Sequence, residues 1–163
     1  MNFLEILKYL SQNVVEFIIV GGVAARLYGS TRLTHDLDIV PKMDEDSWKH
    51  LIEMMWKLGV KPRIPESRER IENLENIQTW IVEKNMLALS FRNSSGQVEI
   101  DVLVSEANNF ESLKSSATTI PVGDCVYYVA SLDDLITMKR KAGRSQDLWD
   151  IEILERIKQQ QDD

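Results

Sequence analysis

Two short apolar segments of this sequence carry acidic residues at alternate positions, and this pattern limits the fold more than any other feature. The first is Asp36-Leu37-Asp38-Ile39-Val40, and the second is Val98-Glu99-Ile100-Asp101-Val102. Side chains alternate across a β-strand, so within each segment the acids share one face and the aliphatic residues share the other. An Asp in an otherwise apolar strand is unfavourable both by propensity and by burial, so its presence requires a physical reason.

Metal binding is one such reason. Carboxylates held side by side raise one another's pKa unless a cation lies between them. Hard divalent cations favour oxygen ligands and bridge to phosphate oxygens. If the two strands are neighbours, Asp36, Asp38 and Asp101 are predicted to form a three-carboxylate site for a pair of Mg²⁺ ions. The alternative is that Asp36 and Asp38 are ordinary polar residues on a solvent-facing edge strand.

A diglycine, Gly21-Gly22, precedes the first acidic segment and follows an apolar segment, Glu16–Val20, that is predicted to be a buried strand. Residues 23–28 are predicted to form a helical turn. Backbone N–H groups between a strand and a helix start bind anions, and glycine lets the backbone approach a triphosphate closely. A simple tight turn is the alternative for the diglycine.

Hydrophobic periodicity predicts the remaining elements. Helices are expected at 2–12, from Asp44 or Asp46 to Gly59, at 66–84, from Ser131 to Gly143, and from a Ser145 cap to about 160. Strands are expected at 86–92 and 97–104, as a hairpin, and at 125–130. This order predicts an α/β or α+β fold in which helices, including short C-terminal ones, flank a mixed, mostly antiparallel sheet.

Length and composition are those of one globular domain spanning residues 1–163, with a polar tail at 159–163 that is expected to fray. The single cysteine, and an N-terminus without the features of a targeting signal, predict a cytoplasmic protein with no membrane segment. A net charge of −7 argues against broad DNA binding.

Together the glycines and acids resemble a known signature. A Gly-Gly or Gly-Ser pair, an Asp-hydrophobic-Asp strand and a later acidic residue are typical of the DNA polymerase beta-like nucleotidyltransferase superfamily. The runs Gly21–Ala24 and Thr31–Asp38 are closer to its AbiEii-like branch, which is found in toxin–antitoxin and phage-defence systems. Residues Leu132–Leu154 also resemble that branch, in which a helix bearing Lys and a following helix bearing Asp approach the nucleotide.

The resemblance implies the nucleotidyltransferase fold and a transfer of a nucleoside monophosphate from a triphosphate such as ATP to an acceptor hydroxyl. Asp36 and Asp38 would ligate both Mg²⁺ ions, with Mn²⁺ as an alternative. Asp101 would ligate one ion and orient or deprotonate the acceptor. The residues implied in nucleotide binding are Gly21, Gly22, Arg32, Thr34, Lys139, Arg144 and Asp147. Helix-dipole chemistry is an equal alternative for the last three, as is surface solvation for Arg32.

The acceptor is left open by the sequence: an RNA 3′ end, a protein or a small molecule. Small relatives act as antitoxins that adenylylate a partner toxin, so a cognate toxin or antitoxin is a candidate partner. A non-catalytic interaction module that retains the fold is the alternative from another class. The chain is short beside many relatives, and it has Gly-Gly where many have Gly-Ser.

Two further groups of residues are expected to be structural. Trp48 and Trp56 fall on the helix before Gly59 and are expected to be in the core. For Trp80 and Trp149, stacking on a base is the alternative, and helical packing is favoured. Arg63, Arg68 and Arg70 form a basic cluster that could meet an acceptor's phosphates. The glutamates interleaved with this cluster favour a salt-bridged, exposed helix instead.

Overall fold

A computed structural model describes residues 1–163, which form a seven-stranded sheet and eight α-helices. The strands are β1 (Phe17–Val20), β2 (Asp36–Pro41), β3 (Val60–Pro62), β4 (Leu89–Asn93), β5 (Glu99–Val102), β6 (Thr118–Val122) and β7 (Cys125–Val129). The helices are α1 (Phe3–Gln12), α2 (Gly21–Leu27), α3 (Glu45–Lys57), α4 (Arg68–Glu72), α5 (Leu74–Lys84), α6 (Phe110–Ser116), α7 (Leu132–Ala142) and α8 (Ser145–Asp162). A 3₁₀ segment, Val104–Asn109, precedes α6.

The sheet has the strand order β3-β4-β5-β2-β1-β7-β6. Strand β2 is parallel to β5 and β1 is parallel to β7, whereas the other four neighbouring pairs are antiparallel. The predicted fold class, a mixed and mostly antiparallel sheet flanked by helices, is confirmed.

Strands β4, β5 and β2 bury one face and leave the other polar. The residues on the buried face are at most 1% exposed, and they are Leu89, Phe91, Ile100, Val102, Leu37 and Ile39. The alternate positions are half-buried or exposed, and they are Ser90, Arg92, Glu99, Asp101, Asp36 and Asp38. The predicted alternation of acidic and aliphatic residues therefore divides a polar face from the core.

Several helix ends follow signals that are visible in the sequence. The side chains of Asp44 and Ser131 accept hydrogen bonds from the amides of Ser47 and Asp134, and these caps begin α3 and α7. Gly143 ends α7 in the left-handed conformation, with a φ of 65°.

The sequence did not predict β3, β6 or α6. Strands β3 and β6 are the two edges of the sheet, and each contains a proline, Pro62 or Pro121. Proline is tolerated on an edge strand because one side of that strand forms no ladder hydrogen bonds. The prolines in both strands, and the length of only three residues in β3, explain why hydrophobic periodicity did not predict them.

Two predicted helix boundaries were wrong. The helix expected at 66–84 is broken at Asn73, whose side chain accepts from the Glu75 amide and starts α5. The cap of α8 is Arg144 rather than Ser145, because the Asp147 carboxylate bonds back to the Arg144 amide. Helix α8 ends at Asp162, slightly beyond the expected end at about 160, and so it includes most of the 159–163 tail.

No helix in the structure has the length and apolar character needed to cross a bilayer. The tryptophans differ in environment: Trp48 and Trp80 are buried, Trp56 is half-buried and packs against the core, and Trp149 is 65% exposed. The helical packing favoured for Trp149 is therefore not found, because this residue lies on the face of α8 away from the buried Asp150 and Ile151.

Trp48→Phe should lower the free energy of unfolding by about 1–3 kcal/mol, because the buried Trp48 Nε1 donates to the Ile71 carbonyl at 2.8 Å. Trp149→Phe is the matched control and should change that free energy by less than about 0.5 kcal/mol. Urea unfolding of both variants measures the difference, and equal effects would contradict the assignment.

Candidate active site

The carboxylates of Asp36, Asp38 and Asp101 lie together on the polar face of the sheet. In the parallel pairing of β2 with β5, Asp38 is opposite Asp101 and Asp36 is opposite Glu99. Neighbouring strands are about 4.8 Å apart, and partners in register point to the same face. The Asp101 charge acts on both Asp36 and Asp38. The condition set by the sequence, that the two acidic strands be neighbours, is met.

This crowding of negative charge changes proton affinity. Burial, and then the charges of Asp101 and Asp36, raise the pKa of Asp38 from 3.8 to about 7. Burial, with the charges of Asp101 and Glu99, also raises the pKa of Asp36. Lys139 and the Gly22 backbone amide act on Asp38 in the opposite direction. Two neighbouring carboxyls are thus held where their negative charge is unfavourable without a cation.

The donor set fits a hard divalent cation, since it consists of carboxylate oxygens whose repulsion such an ion would relieve. No group of three His, Cys, Asp or Glu side chains has an arrangement that would hold a metal ion as it stands. The Asp101 carboxylate instead accepts a hydrogen bond from the Ser90 hydroxyl at 2.5 Å. Metal binding by Asp36, Asp38 and Asp101 stays a prediction.

The diglycine packs directly against the acidic strand. Gly21 has a φ of +65°, and a Cβ added there would lie 2.1 Å from Asp38 Oδ2. A Cβ on Gly22 would lie 2.5 Å from the hydroxyl oxygen of Thr34. Thr34 in turn donates to the Asp36 carbonyl at 3.1 Å, at the start of β2. Both glycines are needed for this close approach, a reason separate from the phosphate contact that the sequence suggested.

Lys139 of α7 and the start of α8 form a charged cluster beside Asp38. The Lys139 ammonium is 2.8 Å from Asp150 Oδ2 and 3.4 Å from Asp147 Oδ1. Arg144 binds Asp147 at 2.9 Å, and this hydrogen bond raises the pKa of Arg144, with the charge of Asp38 as a smaller contribution. Hydrogen bonding from Arg144 holds the pKa of the fully buried Asp147 below its ordinary value. The fold therefore places all three predicted C-terminal residues near the carboxylates.

Arg32 joins the same cluster through Asp150, to which its guanidinium donates a hydrogen bond. Burial acts to raise the pKa of Asp150, but the bonds from Arg32 and Lys139 outweigh it and the net shift is downward. One carboxylate thus ties the loop before β2 to α7 and α8.

Asp150 and Ser90 were missed by the sequence analysis. Asp150 follows Asp147 by three residues, so the two share one face of α8, and that spacing was an available signal. Ser90 is opposite Asp101 in the hairpin of β4 and β5, and only the strand register reveals the contact.

Comparisons with known proteins give similarity in fold only. No protein-family model and no curated protein matches the chain. The crystal structure of the lincosamide antibiotic adenylyltransferase LnuA bound to lincomycin has a TM-score of 0.62 at 15% identity, covering 94% of each chain. An antigenic nucleotidyltransferase-like protein from Paracoccidioides brasiliensis has a TM-score of 0.56 at 17% identity, covering 93% of this chain and 72% of that one.

The chain therefore has the nucleotidyltransferase fold, as the acidic strands and diglycine predicted. Similarity at this level of identity does not separate the AbiEii-like branch from the others, and it does not define a substrate. The polar face of β2 and β5 remains the candidate active site.

Gly21→Ala should lower the free energy of unfolding by more than the strain of a positive φ alone would. Gly59→Ala is the matched control, since Gly59 has a φ of +75° but no atom within 4 Å of an added Cβ. The control should lose about 1–2 kcal/mol of unfolding free energy, and Gly21→Ala should lose more because its Cβ collides with Asp38. Denaturant unfolding measures both losses, and equal losses would refute the collision.

Added Mg²⁺ should stabilise the protein more at about pH 8 than at about pH 5. The Asp38 carboxyl has a raised pKa in the folded state, so its stabilising contribution is present below pH 3.8 and is lost as the pH rises towards 7. A bound cation would compensate for this loss of stability at the higher pH. At roughly a hundred times the dissociation constant, Mg²⁺ should raise Tm by about 5–10 °C.

Thermal melts of two variants test this assignment. Asp38→Asn should abolish the pH-dependent response to Mg²⁺. Asp124→Asn should preserve it, because the Asp124 side chain is 92% exposed in a turn. A Mg²⁺ response equal at both pH values, or unchanged in Asp38→Asn, would contradict the role given to Asp38.

Proposed function

We propose that this protein is a metal-dependent nucleotidyltransferase that moves a nucleoside monophosphate from a triphosphate, such as ATP, to an acceptor hydroxyl. The observation that carries the proposal is the convergence of Asp36, Asp38 and Asp101 beside the diglycine. The nucleotidyltransferase fold of the chain supports it.

In the reaction, the acceptor oxygen attacks the α-phosphorus, the bond from that phosphorus to the bridging oxygen breaks, and pyrophosphate leaves. Asp36, Asp38 and Asp101 would hold two Mg²⁺ ions, or Mn²⁺, which when bound neutralise charge on the phosphates. Asp101 would orient the acceptor hydroxyl or take up its proton. The hydrogen bond from Ser90 fixes one oxygen of Asp101 and so limits the directions in which that carboxylate can act.

The triphosphate would lie on the side of the carboxylates formed by the diglycine and the C-terminal helices. Gly21 and Gly22 would offer backbone amides, with Thr34 behind them. Lys139, Arg144 and Arg32 would supply positive charge. Asp147 and Asp150 would act by positioning, since they hold Lys139 and Arg144 through the ion pairs described above. Catalysis by such a set consists of orientation and electrostatic stabilisation.

The biological setting is proposed from the AbiEii-like resemblance, which favours a toxin–antitoxin or defence system in the cytoplasm with a cognate toxin or antitoxin as partner. In the antitoxin version of this proposal, the acceptor is a hydroxyl of the partner toxin. The non-catalytic alternative is disfavoured because all three acids are present and lie near one another on the same face of the sheet.

Incubation of the protein with α-labelled triphosphates, Mg²⁺ and cell lysate should transfer label to an acceptor. The double variant Asp36→Asn/Asp38→Asn should lose at least about a hundredfold in transfer rate, because both predicted ligands of the two metal ions lose their charge. Asp124→Asn should retain full activity. Mass spectrometry of the labelled species identifies the acceptor.

Absence of transfer by the wild-type protein, together with absence of Mg²⁺-dependent triphosphate binding by calorimetry, would overturn the proposed function. Transfer that persists in the double variant would overturn the assignment of Asp36 and Asp38.

A further inference from the structure

The polar face of the sheet continues beyond the carboxylates into a group of basic side chains. Strand β4 places Arg92 opposite Glu99 of β5 and opposite Lys61 of β3. Arg63 follows β3 directly, and its amide bonds to the Ser90 carbonyl. The alternation of side chains therefore puts Lys61, Arg63 and Arg92 on the same face as Asp101.

Glu99 forms ion pairs with both arginines. Its Oε1 accepts from Arg63 at 2.8 Å and its Oε2 accepts from Arg92 at 2.7 Å. The Glu99 side chain is only 19% exposed, whereas those of Arg63 and Arg92 are 52% and 43% exposed. Each guanidinium has five N–H donors and uses only part of them to bind Glu99. We name Arg63, Arg92 and Glu99 the arginine pair site.

Arg63 thus differs from the other members of the basic cluster seen in the sequence. Arg68 and Arg70 bind Glu72 and Glu66 along the segment around α4, as the salt-bridged helix prediction required. Arg63 instead binds across the sheet, next to the strand that carries Asp101. The expectation of one salt-bridged helix was wrong for this residue, because Arg63 lies before α4 and beside β4.

The arginine pair site and the Lys139 cluster lie on opposite sides of the carboxylates. In the sheet order, β4 and β3 are on the far side of β5, whereas β1 and β7, which lead into α2 and α7, are on the far side of β2. At about 4.8 Å per strand, β4 is about 10 Å from β2. A triphosphate bound at the diglycine and Lys139 would leave the arginine pair site free on the Asp101 side.

We propose that Arg63 and Arg92, aligned by Glu99, bind a backbone phosphate of the acceptor, and that this acceptor is the 3′ end of a single-stranded nucleic acid. The inference rests on the proposed nucleotidyl transfer, with Asp101 facing the accepting hydroxyl. Arginine suits this role because its planar fork binds phosphate oxygens through paired N–H groups. The arginines select the acceptor, and the carboxylates carry out the catalysis.

The surroundings favour a nucleic acid over a protein acceptor. None of the large exposed apolar side chains lies on β2, β3, β4 or β5. Protein interfaces gain most of their affinity from buried apolar and aromatic anchors, which these four strands lack, whereas a backbone phosphate can be bound by the two guanidiniums alone. The net charge of −7 means that a nucleic acid would be held locally, at the arginine pair site, and not along the whole surface.

The test measures binding of a short, fluorescein-labelled oligoribonucleotide with a free 3′ hydroxyl by anisotropy, over a range of salt concentrations. Arg63→Gln/Arg92→Gln should raise the dissociation constant by about tenfold or more. It should also reduce the slope of log Kd against log salt by about 0.7, which corresponds to the loss of one phosphate contact on a single strand. Calorimetric binding of triphosphate with Mg²⁺ should be unchanged.

Arg68→Gln/Arg70→Gln is the matched control, since it removes the same charge from exposed ion pairs around α4. It should change the dissociation constant by less than about twofold. Arg63→Lys/Arg92→Lys should recover most of the salt dependence, because the positive charge returns. Thermal melts check that each variant is folded at the assay temperature, because Arg63→Gln/Arg92→Gln leaves the 19% exposed Glu99 side chain without its ion pairs. Arg68→Gln/Arg70→Gln likewise removes the contacts of Arg68 with Trp56 and of Arg70 with Trp80.

Each outcome bears on the proposal. No binding of the oligoribonucleotide by the wild type, or equal losses in the two Gln variants, would overturn the arginine pair site. Competition by a nucleoside 5′-monophosphate as strong as by the oligonucleotide would overturn the nucleic-acid assignment in favour of a small phosphorylated acceptor. Loss of triphosphate binding in Arg63→Gln/Arg92→Gln would show that these arginines bind the nucleotide and not the acceptor. Arginine-dependent RNA binding without any triphosphate binding by the wild type would overturn the transferase function and leave the RNA site standing.

Discussion

The parallel pairing of β2 with β5 is the constraint on which the candidate site depends. It places Asp38 opposite Asp101 and Asp36 opposite Glu99, so two strands far apart in sequence present four acids on one polar face. A shift of the register by one residue would turn Glu99 and Asp101 into the core. The apolar residues between the acids hold the register, since Leu37, Ile39, Ile100 and Val102 must all be buried together.

Basic side chains lie on both sides of these acids and offset the concentration of negative charge. Lys139, Arg144 and Arg32 are held by Asp147 and Asp150 near the diglycine, and Arg63 and Arg92 are held by Glu99 near β4. Each basic group is tied by a carboxylate that is itself largely buried. A divided arrangement of this kind suits a reaction between two anionic partners, a triphosphate and a phosphate-bearing acceptor, which meet over the central acids.

One fold can serve different functions, because function depends on the side chains of the site. Here the fold supplies the polar sheet face and the diglycine contact. Under the proposal made above, Arg63 and Arg92, farther along that face, would select the acceptor. Their positions depend on β3, a three-residue edge strand that periodicity did not predict. Acceptor choice was thus the part of the function least accessible from sequence.

Patterns in the amino-acid sequence were enough to predict which residues form strands with one acidic face, that the diglycine lies between a strand and a helix, and where most helices begin. These features follow from local rules: alternation, caps and the conformations available to glycine. The folded chain was needed to show that β5 pairs with β2, that Asp150 joins Arg32 to Lys139, and that Arg63 lies beside Glu99 and apart from Arg68. Such contacts join residues distant in the chain, and they depend on the order of strands and the packing of α7 and α8, which local patterns do not encode.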